Sequence, residues 1–248
     1  MDNTKDLRFA VLIDADNIPH RLIGGILEEI AKYGVPTFKR IYADWTKPPG
    51  AGWKTVLLDH AITPIQQYSY TTGKNSSDSA LIIDAMDILY TGRVDGFCVV
   101  SSDSDFTRLA TRLREAGMKV FGMGEQKTPA AFRAACDKFI YIEILEQPET
   151  DTKQIKLSEL RKKEKVISKA DKTLVSLISS SIKDVADEDG WAFLGELGNL
   201  LLKKRPDFDP RNYGFEKLLL LIKSLGQFEI DERDTGRKNV KLVYIRAK

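Results

Sequence analysis

The feature that most restricts the fold is an alternation. Two short apolar runs, Phe9-Ala10-Val11-Leu12-Ile13 and Gly96-Phe97-Cys98-Val99-Val100, each stop at a polar cluster. Each is followed by a stretch with helical spacing. A run with no polar residue on either side is expected of a strand buried on both faces. The helical stretches are 21–33, with Leu22, Ile23, Ile26, Leu27 and Ile30 in step and Gly34 as a stop, then Ser76 to Tyr90, and 105–116 before Gly117. Further strands are expected at Thr37–Tyr42, Ile65–Tyr70, Lys119–Met123 and Phe139–Ile144. Short helices are expected at Gly52–Ala61 and 129–137. Strands and helices in this order imply parallel βαβ units, so residues 1–146 read as an α/β domain with a doubly wound, mostly parallel sheet.

A different pattern follows. Residues 147–172 are rich in lysine, including Lys162, Lys163 and Lys165, and read as a basic linker. Residues 173–248 carry three apolar helical stripes, the third running from Phe215 through Leu225 and closed by Gly226. The segments Phe228-Glu229-Ile230 and Val240–Tyr244 then flank a polar turn, Asp234–Asn239. Three helices and a hairpin predict a small winged-helix α+β domain whose hairpin packs its apolar side on the helices.

Charge and composition exclude several classes. The net charge is +2, slightly acidic before residue 149 and basic after it, so charge alone does not announce nucleic acid. No apolar run approaches the ~20 residues that span a bilayer, so no membrane partner is expected. The polar N-terminus lacks the look of a secretory signal. Two cysteines argue against a disulfide scaffold or a cysteine zinc site, and a cytoplasmic location is the expectation. Cys98 falls within an apolar strand and reads as core. His20 and His60 read as surface or helix-end residues.

The chemistry concentrates at strand ends. The first strand ends in Asp14-Ala15-Asp16-Asn17, and the strand at 96–100 ends in Ser101-Ser102-Asp103-Ser104-Asp105. In an open α/β sheet, ligands bind at the carboxyl ends of strands where the strand order reverses. If these two strands are neighbours, Asp14, Asp16, Asp103 and Asp105 crowd one sheet edge. Their mutual repulsion is relieved by a divalent cation, and carboxylates with open water sites suit Mg²⁺ or Mn²⁺. A lone strand-end Asp would read as a helix cap. On the helix from Ser76, Asp78 falls within 40° of Leu89, Ile82 and Ala85 and so shares the apolar stripe. A carboxylate there needs a partner, so Asp78 is a further candidate. Asp84 and Asp87 fall on a polar side, with Asp84 as a supporting candidate. Lys74 is either a phosphate-binding residue or an exposed loop lysine.

These pieces together resemble a known family. Leu12-Ile13-Asp14-Ala15-Asp16-Asn17-Ile18, Gly73–Asp78, Ile83–Asp87 and Val100–Phe106 resemble the NYN domain of the PIN-like nuclease superfamily, to which the limkain and LabA-like proteins belong. The resemblance implies a PIN-like fold and a metal-dependent ribonuclease. It places Asp14, Asp78, Asp103 and Asp105 on the family's acidic positions, Asn17 on its Asp-x-x-Asn pattern, and Ser101 or Ser102 on its serine. In the second unit, Asp189-Gly190-Trp191, Leu194–Gly198 and Pro206–Phe215 resemble the OST-HTH or LOTUS domain, which implies RNA binding or, in some members, protein partners. Arg211 and Lys217 on the third helix, with Arg237 and Lys238 on the wing, are the residues expected to meet RNA phosphates. Trp191, Phe208, Tyr213 and Phe215 either stack bases or pack the core. Core is the reading preferred for Trp191 and Phe215.

The function expected is hydrolysis of RNA phosphodiester bonds. Asp14, Asp78, Asp103 and Asp105 would hold Mg²⁺ or Mn²⁺, with Asn17, Ser101, Ser102, Asp16 and Asp84 in support. Two rivals stand beside it. One is an RNA-binding scaffold without turnover. The other is a haloacid-dehalogenase-like phosphatase, since Asp14-Ala15-Asp16 after a buried strand resembles that family's nucleophile motif. Ile18 is a departure from it.

Overall fold

A computed structural model describes residues 6–46, 53–68, 76–145, 172–234 and 241–248. It divides the chain into two compact units, Met1–Glu146 and Gln147–Lys248.

The first unit is built on strands β1 (Arg8–Asp14), β2 (Val35–Ala43), β3 (Thr63–Gln66), β4 (Gly96–Val100), β5 (Lys119–Gly124) and β6 (Lys138–Tyr141). They form one sheet in the order β3-β2-β1-β4-β5-β6, with every neighbouring pair parallel. The chain winds outward from β1 through β2 to β3, then returns to β4 on the other side of β1. The strand order therefore reverses between β1 and β4, which pair from Phe9↔Gly96 to Ile13↔Val100. The polar clusters after Ile13 and Val100 are thus neighbours.

Alternating residues of the central strands supply two cores. Ala10, Leu12, Phe97 and Val99 face helices α3 (Ser76–Tyr90), α4 (Thr107–Glu115) and α5 (Ala130–Ala135). Val11, Ile13, Cys98 and Val100 face α1 (Ile23–Ala31) and α2 (Trp53–Asp59). Cover on both faces explains the apolar runs read in the sequence. Cys98 is fully buried in the core.

Two edge strands differ from expectation. β3 covers Thr63–Gln66 rather than Ile65–Tyr70; of that span, 69 and 70 lie outside the described residues. β6 stops at Tyr141, and Ile142–Leu145 turns into a 3-10 helix. An edge strand extends only as far as its single neighbour offers a ladder. The last β6 pair is Gly124↔Tyr141, at the end of β5, and β3 pairs only with Arg40–Ala43. A sequence window does not carry that limit.

The second unit contains α6 (172–185), β7 (Ala192–Phe193), α7 (Leu194–Lys204), a 3-10 turn (Pro210–Tyr213), α8 (Leu218–Leu225), β8 (Phe228–Asp234) and β9 (Lys241–Ala247). The strands form an antiparallel sheet in the order β7-β9-β8. Phe228, Ile230, Val243 and Ile245 face a core with Leu174, Ile178, Leu197, Leu201, Phe208 and Ile222. This is a small α+β domain with the hairpin packed as expected.

Two expectations need correction here. Trp191 lies outside that core: it is half-buried, with the Arg246 and Arg233 guanidiniums over its ring at 4.5 and 5.8 Å. It precedes β7, a two-residue strand whose pairing with β9 turns Ala192 inward and leaves its neighbours on the outer side. Arg211 is not on the third helix. Asp209 accepts from the Arg211 backbone N–H and, at 2.7 Å, from its guanidinium, so the 3-10 turn closes on itself before α8 begins. Lys217 is exposed and precedes the first residue of α8, at its N-cap position and not within the helix. Phe215 and Tyr213 pack against the core, and Phe208 is within it.

Lys74, Arg237, Lys238 and all of the linker but residue 172 lie outside the described residues. Among the described residues, no helix is long and apolar enough to cross a membrane.

Candidate metal centre

β1 delivers Asp14 to the carboxyl edge of the sheet, 1% exposed. Its Oδ2 accepts from the Ser101 hydroxyl at 2.8 Å and from Asn17 Nδ2 at 2.6 Å, and its Oδ1 from the Asp16 backbone N–H at 3.2 Å. Burial pushes the Asp14 carboxyl up from its usual range, and the bonds from Asn17 and Ser101 pull against that shift. Ser101 links the two strand ends, since its Oγ also accepts from the Asp103 N–H at 3.1 Å.

β4 ends in the turn that sets the other acids. Asp103 Oδ1 accepts from the Asp105 N–H at 2.9 Å and caps the 3-10 turn Ser104–Phe106. The fully buried Phe106 anchors that turn in the core, so Asp105 stays at the exposed edge. Ser102 is turned toward β5, where its Oγ accepts from the Glu125 N–H at 2.9 Å. Gly124 allows this close approach: a Cβ there would stand 2.5 Å from the Ser101 carbonyl oxygen.

Asp78 arrives from the first turn of α3, 8% exposed. Asp78, Asp103 and Asp105 each offer a carboxylate oxygen within 4.8 Å of the others, and they are the one such acidic, histidine or cysteine group among the described residues. The Asp78 carboxyl is pushed up to about 6, by burial first and then by Asp14, Asp103, Asp105 and Asp16. Asp14 contributes no oxygen to the trio, but its charge is felt there. Asp16 reaches α3 by a different route, accepting from Ser77 Oγ at 3.4 Å.

Asp84 stands elsewhere on α3. It pairs with the Arg40 guanidinium and accepts from the Tyr42 hydroxyl, both on β2. Burial, then Asp84, pushes the Tyr42 phenol up. Tyr42 is opposite Asp14 in the ladder, and its carbonyl accepts from the Ala15 N–H at 3.2 Å. The Arg40–Tyr42–Asp84 network thus ties α3 to the strand beside Asp14. Sequence reading did not find Arg40 and Tyr42, because nothing local marks a cross-element partner. The buried stripe of α3 centres on Leu81, Ala85 and Ile88, which moves Asp84 to its margin. Asp87 is exposed.

The donor set suits a hard divalent cation. It consists of carboxylate oxygens, and the negative charges of Asp14, Asp103, Asp105 and Asp16, which add to the effect of burial on Asp78, are those a cation would offset.

Comparison with known proteins follows the same division. Residues 8–143 match the NYN domain and residues 165–240 the OST-HTH/LOTUS domain. No curated protein matches the chain. Among solved structures, a protein of unknown function from Vibrio parahaemolyticus is similar at 19% identity, covering 57% of this chain and 96% of its own, with a TM-score of 0.48. An uncharacterized protein from Nitrosomonas europaea is 39% identical over 29% of this chain and 70% of its own, with a TM-score of 0.27. A protein from Chromobacterium violaceum, solved over its residues 175–257, is 34% identical over 30% of this chain and 78% of its own, with a TM-score of 0.25. With its acid-bearing sheet matched over more than half of the sequence, the chain belongs to the NYN domain family and carries an OST-HTH/LOTUS domain after it.

Proposed function

We propose that this chain is a metal-dependent ribonuclease that hydrolyses RNA phosphodiester bonds, with a C-terminal domain that binds RNA. The observation that carries this reading is the Asp78–Asp103–Asp105 trio at the point where strand order reverses. Asp78, Asp103 and Asp105 would hold Mg²⁺ or Mn²⁺, which supplies an activated water and neutralises charge on the scissile phosphate. Asp14 is the fourth acid of the set, its carboxyl held in place by hydrogen bonds from Asn17 and Ser101. Ser101 also fixes the backbone that presents Asp103. Asp16 and Ser102 hold the flanking α3 and β5 loop, and Asp84 holds α3 on β2. Lys74 would bind a phosphate. The second domain would raise the local concentration of RNA by tethering, with Lys217, Arg237 and Lys238 as candidate phosphate contacts and Arg211 committed to Asp209.

The phosphatase reading finds no support at Asp14. A nucleophilic carboxylate needs an oxygen free to attack phosphorus, whereas Asp14 is buried and both its oxygens accept hydrogen bonds.

Incubation with single-stranded RNA in Mn²⁺, in Mg²⁺ and in EDTA tests the proposal. Cleavage is expected with either ion, none in EDTA, and none from a folded Asp103→Asn protein. Binding of RNA with no cleavage under any ion would overturn the enzymatic reading in favour of a scaffold.

A further inference from the structure

The antiparallel sheet of the second unit has two faces, and only one is needed for folding. The inner face carries Ala192, Val243 and Ile245. The outer face carries Phe193 and Tyr244, which are paired in the ladder with ring centroids 5.7 Å apart. Trp191 continues this row. The turn before it has Gly190 at φ 82°, and Asp187 both accepts from the Trp191 N–H at 2.7 Å and donates its own N–H to the Trp191 carbonyl. That turn sets the indole beside Arg246, whose guanidinium lies 4.5 Å from the ring centroid. Arg233 reaches across from β8 and lies 4.0 Å from the Tyr244 ring and 5.8 Å from Trp191.

Both guanidiniums are held from their own strands or the next one. Asp231 accepts from Arg233 Nε at 2.8 Å, and Glu229 accepts from Arg246 Nε at 2.9 Å. All four of these charged side chains remain about 40% exposed. The face is therefore a row of planar groups, aromatic and guanidinium, with its charges balanced in place. A balanced face is poorly suited to gripping a phosphate backbone, which needs uncompensated cations. It is well suited to flat, unpaired bases, which stack on aromatic and guanidinium planes.

We infer that the outer sheet face, Trp191, Phe193, Arg233, Tyr244 and Arg246, is a stacking platform for the bases of single-stranded RNA. This rests on the RNA-binding role proposed above for the second domain, and assigns the base contacts to the sheet face, in addition to the candidate phosphate contacts Lys217, Arg237 and Lys238. Duplex RNA, whose bases are hidden, binds poorly there. Affinity falls only gently with salt, because few counterions are released.

The test uses the full chain carrying Asp103→Asn, so that RNA survives, and a fluorescently labelled oligouridine. Trp191→Ala and Tyr244→Ala are expected to weaken binding by about ten-fold or more each, as removal of a base-stacking aromatic does. Trp191→Phe and Tyr244→Phe are expected to keep most of it. Of the three tryptophans, Trp191 is expected to lose emission on RNA binding, read as the difference between the parent and Trp191→Phe. This reads the unaltered face and decides the case even where an alanine variant does not fold. RNA binding that survives both alanine changes, but is lost in Lys217→Ala with Arg237→Ala and Lys238→Ala, overturns the platform and leaves the proposed function standing. Alanine variants that turn a dimer into a monomer at unchanged RNA affinity mark the face as a contact between copies, which also overturns it. A parent that binds no RNA removes the proposed function and the platform together.

Discussion

Burial and repulsion act in the same direction on Asp78. Its carboxyl sits at about 6 in the folded chain, against about 3.9 in an unfolded one. A group raised on folding contributes stability below its unfolded value and loses that contribution as pH rises through its folded value. The metal-free protein should therefore lose up to about 2 kcal/mol through Asp78 between pH 4 and pH 7. Asp78→Asn should be the more stable protein at pH 7.5 in EDTA, and the gap should close toward pH 4. Thermal melts across that range check this; an Asp78→Asn protein less stable than its parent at pH 7.5 contradicts it. The opposite sign is expected at Ser101. Ser101→Ala removes a donor to a buried carboxylate and should cost about 1–3 kcal/mol in urea denaturation. The acids were legible in the sequence because strand ends and helical phase are local properties. Trp191 was not: its neighbour in the sequence enters the core, and only the pairing of β7 with β9 shows that the indole stays outside.

Elements are placed by contacts that no window of sequence contains. The strand and helix order of the first unit was legible from apolar runs and stops, including β4 to the residue. The ends of β3 and β6 were not, because an edge strand takes its length from one neighbour. The seat of α3 follows the same rule. Its phase showed that Asp78 faces inward, but the anchor two turns on, Asp84 with Arg40 and Tyr42, comes from β2. Asp84→Ala leaves a half-buried guanidinium and a buried phenol without this acceptor and should cost about 1–3 kcal/mol. Asp87→Ala, on the exposed side of the same helix, should change stability by less than about 0.5 kcal/mol. Equal effects from the two changes would remove the anchor from the account.

At the scale of the molecule, one unit carries the acids and the other a sheet face of aromatic and guanidinium planes. If tethering is what joins them, loss of the face should weaken substrate capture and spare the chemical step. In the full chain, Tyr244→Ala is expected to raise KM for single-stranded RNA by about ten-fold with kcat little changed. A fall in kcat at constant KM would place the second unit in the chemistry instead. All of this depends on three carboxylates forming a seat for a divalent ion, and Mn²⁺ titration calorimetry tests that most directly. The wild-type chain should bind Mn²⁺, and Asp103→Asn and Asp105→Asn, both folded, should each bind it about ten-fold more weakly or worse. Equal Mn²⁺ affinity in all three proteins would contradict the account.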